Sequence, residues 1–190
     1  KLTKKYPNLR VLHNEKAGKG LAVRTGIFAA KGEYRIFCDA DLSMPIEEVR
    51  RFIPPNLDKD IVIASREVEG AVRYDEPHFR HFTGRIFNLL IRFLALPNLH
   101  DTQCGFKCFQ ADVAEDIFQY QSIEGWAFDV ELLFIAKMRG YEIVELPIPW
   151  YYNDESKISV FRDSARMFFD LLKIRQNARI GVYGKLGFNS

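Results

Sequence analysis

Residues 36–45 read IFCDADLSMP, an apolar run that ends in Asp39 and Asp41 with one alanine between them. Alternate side chains of a strand share a face, so the two carboxylates are expected to point together from the carboxyl end of a strand. Like charges held that close repel unless a cation lies between them. Hard oxygen ligands suit Mg2+ or Mn2+, and such ions bridge a few carboxylates to substrate phosphates. The chemistry implied is a metal clamp on a diphosphate. The plainer alternative is a pair of turn aspartates that cap the next helix.

Other residues carry chemistry of the same kind. Arg66 follows an apolar strand and Arg80 opens a long helix. A guanidinium offers a planar fork suited to phosphate, although either arginine can equally sit solvated on a surface. Lys19 stands between two glycines at a helix start, where phosphate or nucleotide can bind. Trp126 offers a ring to a sugar face, or fills a core. Asp129 and Glu131 begin a helix, where negative side chains are favoured anyway.

The elements that must position these groups follow from periodicity. RVLHN (Arg10–Asn14) reads as a short strand, and GKGLAVRTGIFAAKG as a helix stopped by Gly32. EYRIFC is the next strand. Ser43 is placed to cap a helix with Pro45, Glu47 and Glu48 in its first turn. DIVIAS (Asp60–Ser65) is a third, fully apolar strand, and strand–helix alternation implies a parallel sheet. Arg66–His78 lacks periodicity and reads as a loop. RHFTGRIFNLLIRFLAL (residues 80–96) is a helix, CGFKCF a strand, and helices follow near Asp112–Tyr120 and Phe128–Arg139. YEIVELPIPWYY is the last strand and SVFRDSARMFFDLLKIR a closing amphipathic helix.

Composition narrows the class. The chain has 190 residues, 47% hydrophobic and 27% charged, which fits one globular domain with a real core. A formal net charge of +2 gives no argument for a nucleic-acid partner. The three cysteines cannot all pair and complete no zinc site, so buried reduced thiols in a cytosolic domain are expected. No signal peptide and no apolar run of spanning length is present, so the chain is not expected to cross a membrane by itself. The helix near Gly84–Leu96, with Arg85 and Arg92, and the closing helix, with Arg166, Lys173 and Arg175, each suit either a lipid surface or a core.

Taken in order, AGKGLAVRTGIFAAKGEYRIFCDADLS, ASR, DTQCGFKCF, GWAFDVELLFIAK, ELPIPW and SK resemble the family-2 glycosyltransferases of the GT-A fold. Within them the chain is most similar to the dolichyl- and polyprenyl-phosphate sugar transferases, and DTQCGFK and WAFDVELL to the dolichyl-phosphate β-glucosyltransferase branch. The resemblance covers nearly the whole chain. It implies an α/β GT-A nucleotide-sugar-binding fold, with a mostly parallel central sheet and flanking helices. The implied reaction is inverting transfer of a hexose from UDP-glucose or GDP-mannose to polyprenyl or dolichyl phosphate, at the cytoplasmic face of a membrane.

The resemblance also assigns residues. Asp39 and Asp41 hold Mg2+ or Mn2+. Asp101 and Gln103 match the family's polar pair near the nucleotide sugar, and Lys19, Trp126 and Asp129, read from their own chemistry, are candidates for the same nucleotide-sugar site. Arg66, Arg80 and Lys157 face the acceptor phosphate, Lys157 despite an unusual Glu155 before its serine. The family opens with a strand and turn that hold the base and ribose, and nothing in Lys1–Asn14 matches them. Residues 1–190 are therefore expected to be one catalytic domain lacking its first strand–helix unit. Two other readings stay open: transfer to a sugar hydroxyl with Asp129 as general base, and a non-catalytic nucleotide-sugar-binding module.

Overall fold

The computed structural model describes residues 2–77, 85, 88–152 and 160–184. Its six strands are β1 (Tyr34–Cys38), β2 (Ile61–Ser65), β3 (Val72–Tyr74), β4 (Phe106–Gln110), β5 (Ile143–Pro147) and β6 (Pro149–Tyr151). The helices are α1 (Leu2–Lys5), α2 (Lys19–Ala29), α3 (residues 88–94), α4 (Ala111–Phe118), α5 (Phe128–Met138) and α6 (Val160–Arg179), with a 3-10 helix at Ile46–Arg51.

The central sheet has the order β1-β4-β2-β5. β4 runs antiparallel to both β1 and β2, while β2 and β5 are parallel. Three strands thus share one direction and β4 is inserted between two of them in reverse. The α/β expectation holds, but the sheet is mixed. Periodicity reports which face a residue occupies and carries no information on strand direction, so the reversal was not visible in the residues.

Every residue of β2 is buried. Its side chains alternate between two cores, as a strand covered on both faces must. Ile61 and Ile63 join Phe37, Phe109, Ile117, Phe118, Leu132 and Leu133 beneath α2, α4 and α5. Val62 and Ala64 join Phe52, Phe106, Cys108 and Ile148 on the other face.

Several local expectations change. Arg10–Asn14 forms no strand; Val11 is 57% exposed and Leu12 43%, with no neighbouring strand to pair with among the described residues. The segment after Ser43 winds as a 3-10 helix with Pro45 at its N-cap, and the Ser43 hydroxyl makes no cap. The stretch read as a loop after Arg66 contains β3, which pairs in parallel with β6. The thiols are all free, but Cys38 is exposed; only Cys104 and Cys108 are buried. The beginning of the 80–96 helix lies partly outside the described residues, as do Arg80 and Lys157. No described helix is long and apolar enough to cross a membrane.

α5 is fixed by a buried carboxylate. Glu131 accepts hydrogen bonds from Ser122 N (2.9 Å), Ser122 Oγ (2.6 Å), Ile123 N (2.8 Å) and Tyr183 Oη (2.8 Å). This holds the segment before α5 and docks the end of the described chain. Glu131 therefore has a structural role. Replacing it by Ala strands these donors, and unfolding by urea should show a loss of about 3 kcal/mol or more. Glu131→Gln should retain part of that stability.

Candidate active site

β1 delivers Asp39 one residue beyond its end. The Asp39 N–H donates to the Gly105 carbonyl at 2.8 Å, which extends the β1–β4 pairing past the strands. A Cβ on Gly105 would lie 1.9 Å from Asp39 Oδ2, so only glycine lets this carboxylate lie against the β4 backbone. The chain then turns: Leu42 adopts φ +53, and Asp41 Oδ1 accepts from Ser43 N at 3.0 Å. Asp41 therefore belongs to a turn, and strand alternation does not govern its direction. The capping alternative describes part of what Asp41 does, since it closes that turn.

Lys19 Nζ lies 2.7 Å from Asp39 Oδ1, with side-chain exposures of 20% for the lysine and 38% for the aspartate. The same ammonium stands 5.0 Å over the ring of Trp126, which is 45% exposed. The start of α2 works differently from the sequence expectation. Gly20 N and Leu21 N both donate to the Glu124 carbonyl, at 2.9 and 3.3 Å. A Cβ on Gly18 would meet Glu124 O at 2.7 Å, and one on Gly20 would meet Phe128 Cβ at 2.6 Å. These glycines permit close packing against the segment before α5. The amides that a phosphate would use at Gly20 and Leu21 are already engaged, and the Lys19 side chain remains as the cationic group there.

Below this pair is a second one. Lys107, at the second position of β4, is fully buried. Its Nζ contacts Asp129 Oδ1 at 2.7 Å, donates to Cys104 O at 2.7 Å, and stands 5.5 Å over the Phe37 ring. The contact with Asp129 lies off the hydrogen-bond direction, so it is an ion pair without an aligned hydrogen bond. Burial pushes the Asp129 carboxyl above the usual carboxylate range; Lys107 and Lys19 pull it back, and the Asp39 charge pushes it up again. Asp39, Lys19, Trp126 and Asp129, expected near one site, are brought together.

Arg66 turns into the protein. Its backbone N, Nε and Nη2 donate to the Asp101 carboxylate at 3.0, 2.6 and 2.9 Å, and its guanidinium stands 5.3 Å over Trp150. Glu145 of β5 holds the same segment, accepting from His100 N (2.8 Å) and Asp101 N (2.9 Å). Gln103 N donates to Asp101 Oδ1 at 3.3 Å, and its side-chain amide reaches Met167 Sδ at 3.8 Å. Arg66 and Asp101 thus order the segment that ends at Gly105, beneath Asp39.

Two residues of this arrangement went unnoticed in the sequence: Lys107 and Gly105. The signal for Lys107 was present, because in GFKCF it alternates onto the same face as Phe109, and a lysine on an inner face needs a partner. Gly105 had no signal beyond its position.

Residues 1–118 match the glycosyl transferase family 2 sequence family. The chain is 33% identical to the dolichyl-phosphate beta-glucosyltransferase ALG5C of Trichomonas vaginalis, over 94% of this chain and 55% of that protein. It is 34% identical to the dolichyl-phosphate beta-glucosyltransferase of Homo sapiens, over 87% of this chain and 54% of that protein. It therefore spans a little over half the length of these curated relatives. Among solved structures, glucosyl-3-phosphoglycerate synthase from Mycobacterium tuberculosis, in complex with Mn2+ and uridine-diphosphate-glucose, superposes with a TM-score of 0.55 at 16% identity, covering 91% of this chain and 58% of that one. At that identity the likeness is one of fold, the GT-A arrangement.

The Arg66–Asp101 pair sets an acid limit on this region. Burial alone would raise the Asp101 carboxyl, but the charge and hydrogen bonds of Arg66 hold it at about 2, below its ordinary 3.8. A depressed carboxyl contributes stability that is present above the unfolded pKa and lost as pH falls through the folded one. Urea midpoints should fall between pH about 4 and about 2 by the equivalent of about 2 kcal/mol. Asp101→Asn should be less stable at neutral pH and lose this acid-dependent step.

Proposed function

The chain belongs to glycosyl transferase family 2, and within it we propose that its site transfers glucose, with inversion, from UDP-glucose to dolichyl phosphate. The observation that carries this reading is the convergence of Asp39, Lys19, Trp126 and Asp129 beyond the end of β1. The curated relatives named as dolichyl-phosphate beta-glucosyltransferases support the choice of sugar and acceptor.

Asp39 and Asp41 supply the hard oxygen donors that Mg2+ or Mn2+ prefers. Among the described residues no three His, Cys, Asp or Glu groups gather as a metal site, so Asp39 and Asp41 would hold the ion together with ligands from outside the protein. When bound, the ion would neutralise charge on the departing nucleotide. Lys19 adds a cation beside the diphosphate, and the exposed face of Trp126 packs against the sugar. Asp101 and Gln103 act through the segment that carries Gly105. The acceptor is a phosphate oxygen, anionic at neutral pH. It needs orientation and offsetting cations more than a base. Arg80 and Lys157 are assigned that role. Arg66, with its fork on Asp101, acts as a positioning residue.

The acceptor's lipid places the site at a membrane, which we assign to the cytoplasmic face. The exposed side chains of Leu89 and Phe93 on α3, and of Phe168, Phe169 and Leu172 on α6, support this. Arg175 of α6 donates to Leu94 O at 3.0 Å, which ties the two helices together. Arg166 and Lys173 on α6, and Arg85 ahead of α3 in the chain, are exposed, as an anionic headgroup layer requires.

One observation favours a second reading. Asp129 is buried with its carboxyl raised, which suits a general base for a hydroxyl acceptor. The test is glucose transfer by the full chain to dolichyl phosphate and to a sugar hydroxyl, with GDP-mannose as the competing donor. The expected product is dolichyl-linked glucose from UDP-glucose, dependent on Mn2+ or Mg2+. Asp39→Ala combined with Asp41→Ala should lower the rate by roughly a hundredfold or more. Transfer only to a hydroxyl, abolished by Asp129→Asn, would move the assignment to the second reading.

A further inference from the structure

We propose that Lys19 is a counter-ion that competes with the divalent cation for Asp39, so that cation and nucleotide bind as a pair. The inference rests on the reading that Asp39 takes part in metal binding, and it concerns what must move for that to happen. Lys19 Nζ lies 2.7 Å from Asp39 Oδ1. An ammonium and a divalent ion cannot both occupy hydrogen-bond distance of one carboxylate oxygen along the same approach. One of the three partners has to give way.

The surroundings decide which one. Asp39 is held by its N–H to Gly105 O at 2.8 Å, and its other carboxylate oxygen lies where a Gly105 Cβ would be. The backbone of Lys19 is equally fixed, since the neighbouring Gly20 N and Leu21 N donate to Glu124 O and both flanking glycines abut that segment. What remains free to move is the four-carbon stem of Lys19, which is 20% exposed and leaves Asp39 without disturbing the chain on either side.

Displacing the ammonium carries a penalty for the bare ion. It leaves Lys19 beside Asp39, repelling the dication that replaced it. A nucleoside diphosphate removes that penalty, because its phosphate oxygens accept the ammonium a short distance away. The coupling is reciprocal: the diphosphate tightens the ion as much as the ion tightens the diphosphate. Two protein carboxylates alone make an incomplete coordination shell, which works in the same direction. Lys19 also stands 5.0 Å over the half-exposed Trp126, so its departure changes the environment of an indole and supplies a signal independent of turnover.

The experiment is calorimetric titration of the full chain with Mn2+, with and without UDP, for wild type, Lys19→Met and Lys19→Arg. Trp126 emission is followed in parallel with Mg2+, with Trp126→Phe as the blank. Lys19→Met is expected to bind Mn2+ alone roughly fivefold more tightly than wild type. The tightening that UDP gives to Mn2+ should shrink by at least that factor. Lys19→Arg should restore both wild-type behaviours. In wild type, Mg2+ with UDP should shift Trp126 emission, and in Lys19→Met that shift should be largely lost. Equal or weaker Mn2+ binding by Lys19→Met, in a protein whose wild type binds Mn2+ with UDP, overturns the competition and leaves the transferase reading in place. No Mn2+ binding by either protein, even with UDP, removes the metal clamp itself and the inference with it.

Discussion

A lysine in the middle of a sheet has to be answered, and much of this site follows from how Lys107 is answered. An ammonium without a partner in such a place costs a large share of a domain's net stability. Three groups respond: the Asp129 carboxylate, the Cys104 carbonyl and the face of Phe37. Each response places an element. Asp129 brings the first turn of α5 against β4. The Cys104 carbonyl fixes the approach to β4, so that Gly105 lies beneath Asp39. Phe37 belongs to β1, the strand that delivers Asp39. Removing either charge alone strands the other, a change typically worth about 3–5 kcal/mol.

Close backbone approach is the second constraint, and glycine makes it possible at two places. Gly18 and Gly20 let the start of α2 lie on the 123–124 backbone, and Gly105 lets the Asp39 carboxylate lie on β4. The segment that receives α2 is itself held by Glu131 through Ser122 and Ile123. A chain of contacts thus runs from α5 through residues 122–124 to α2, and so to the Lys19 side chain. That side chain and Trp126 are the partly exposed ends of an otherwise rigid arrangement.

The legible parts of the sequence were those in which one residue type has one reason to be present. The apolar run of β2 reported burial, and burial is what the structure shows there; the helix expected over α2 also forms, although only Gly20 and Ile27 of it are buried. Asp39 could be placed because open α/β sheets bind ligands beyond their strand ends. The less legible parts depend on partners distant in sequence. β4 reverses between β1 and β2, and β3 forms only because β6 lies beside it. Arg66 is the clearest case. As an arginine after a strand it read as a phosphate ligand, yet Asp101, thirty-five residues away in sequence, takes its fork. The resemblance assigned both residues to the site; the pairing between them needed coordinates.

The charges around β1 also have an order of accessibility. Lys107 and Asp129 are buried and neutralise one another, so they present little net charge to an arriving ligand. Arg66 and Asp101 do the same on the far side of Gly105. The groups left nearer solvent are Asp39 and Asp41 against Lys19, two negative charges and one positive. Such a mouth attracts a dication before it attracts an anion. On the proposed function, a dication in place would make the local sum positive and would favour a diphosphate there. The buried pairs let this reversal occur without altering the interior. They hold the backbone that carries the outer charges, and those outer charges are left to meet the ligands.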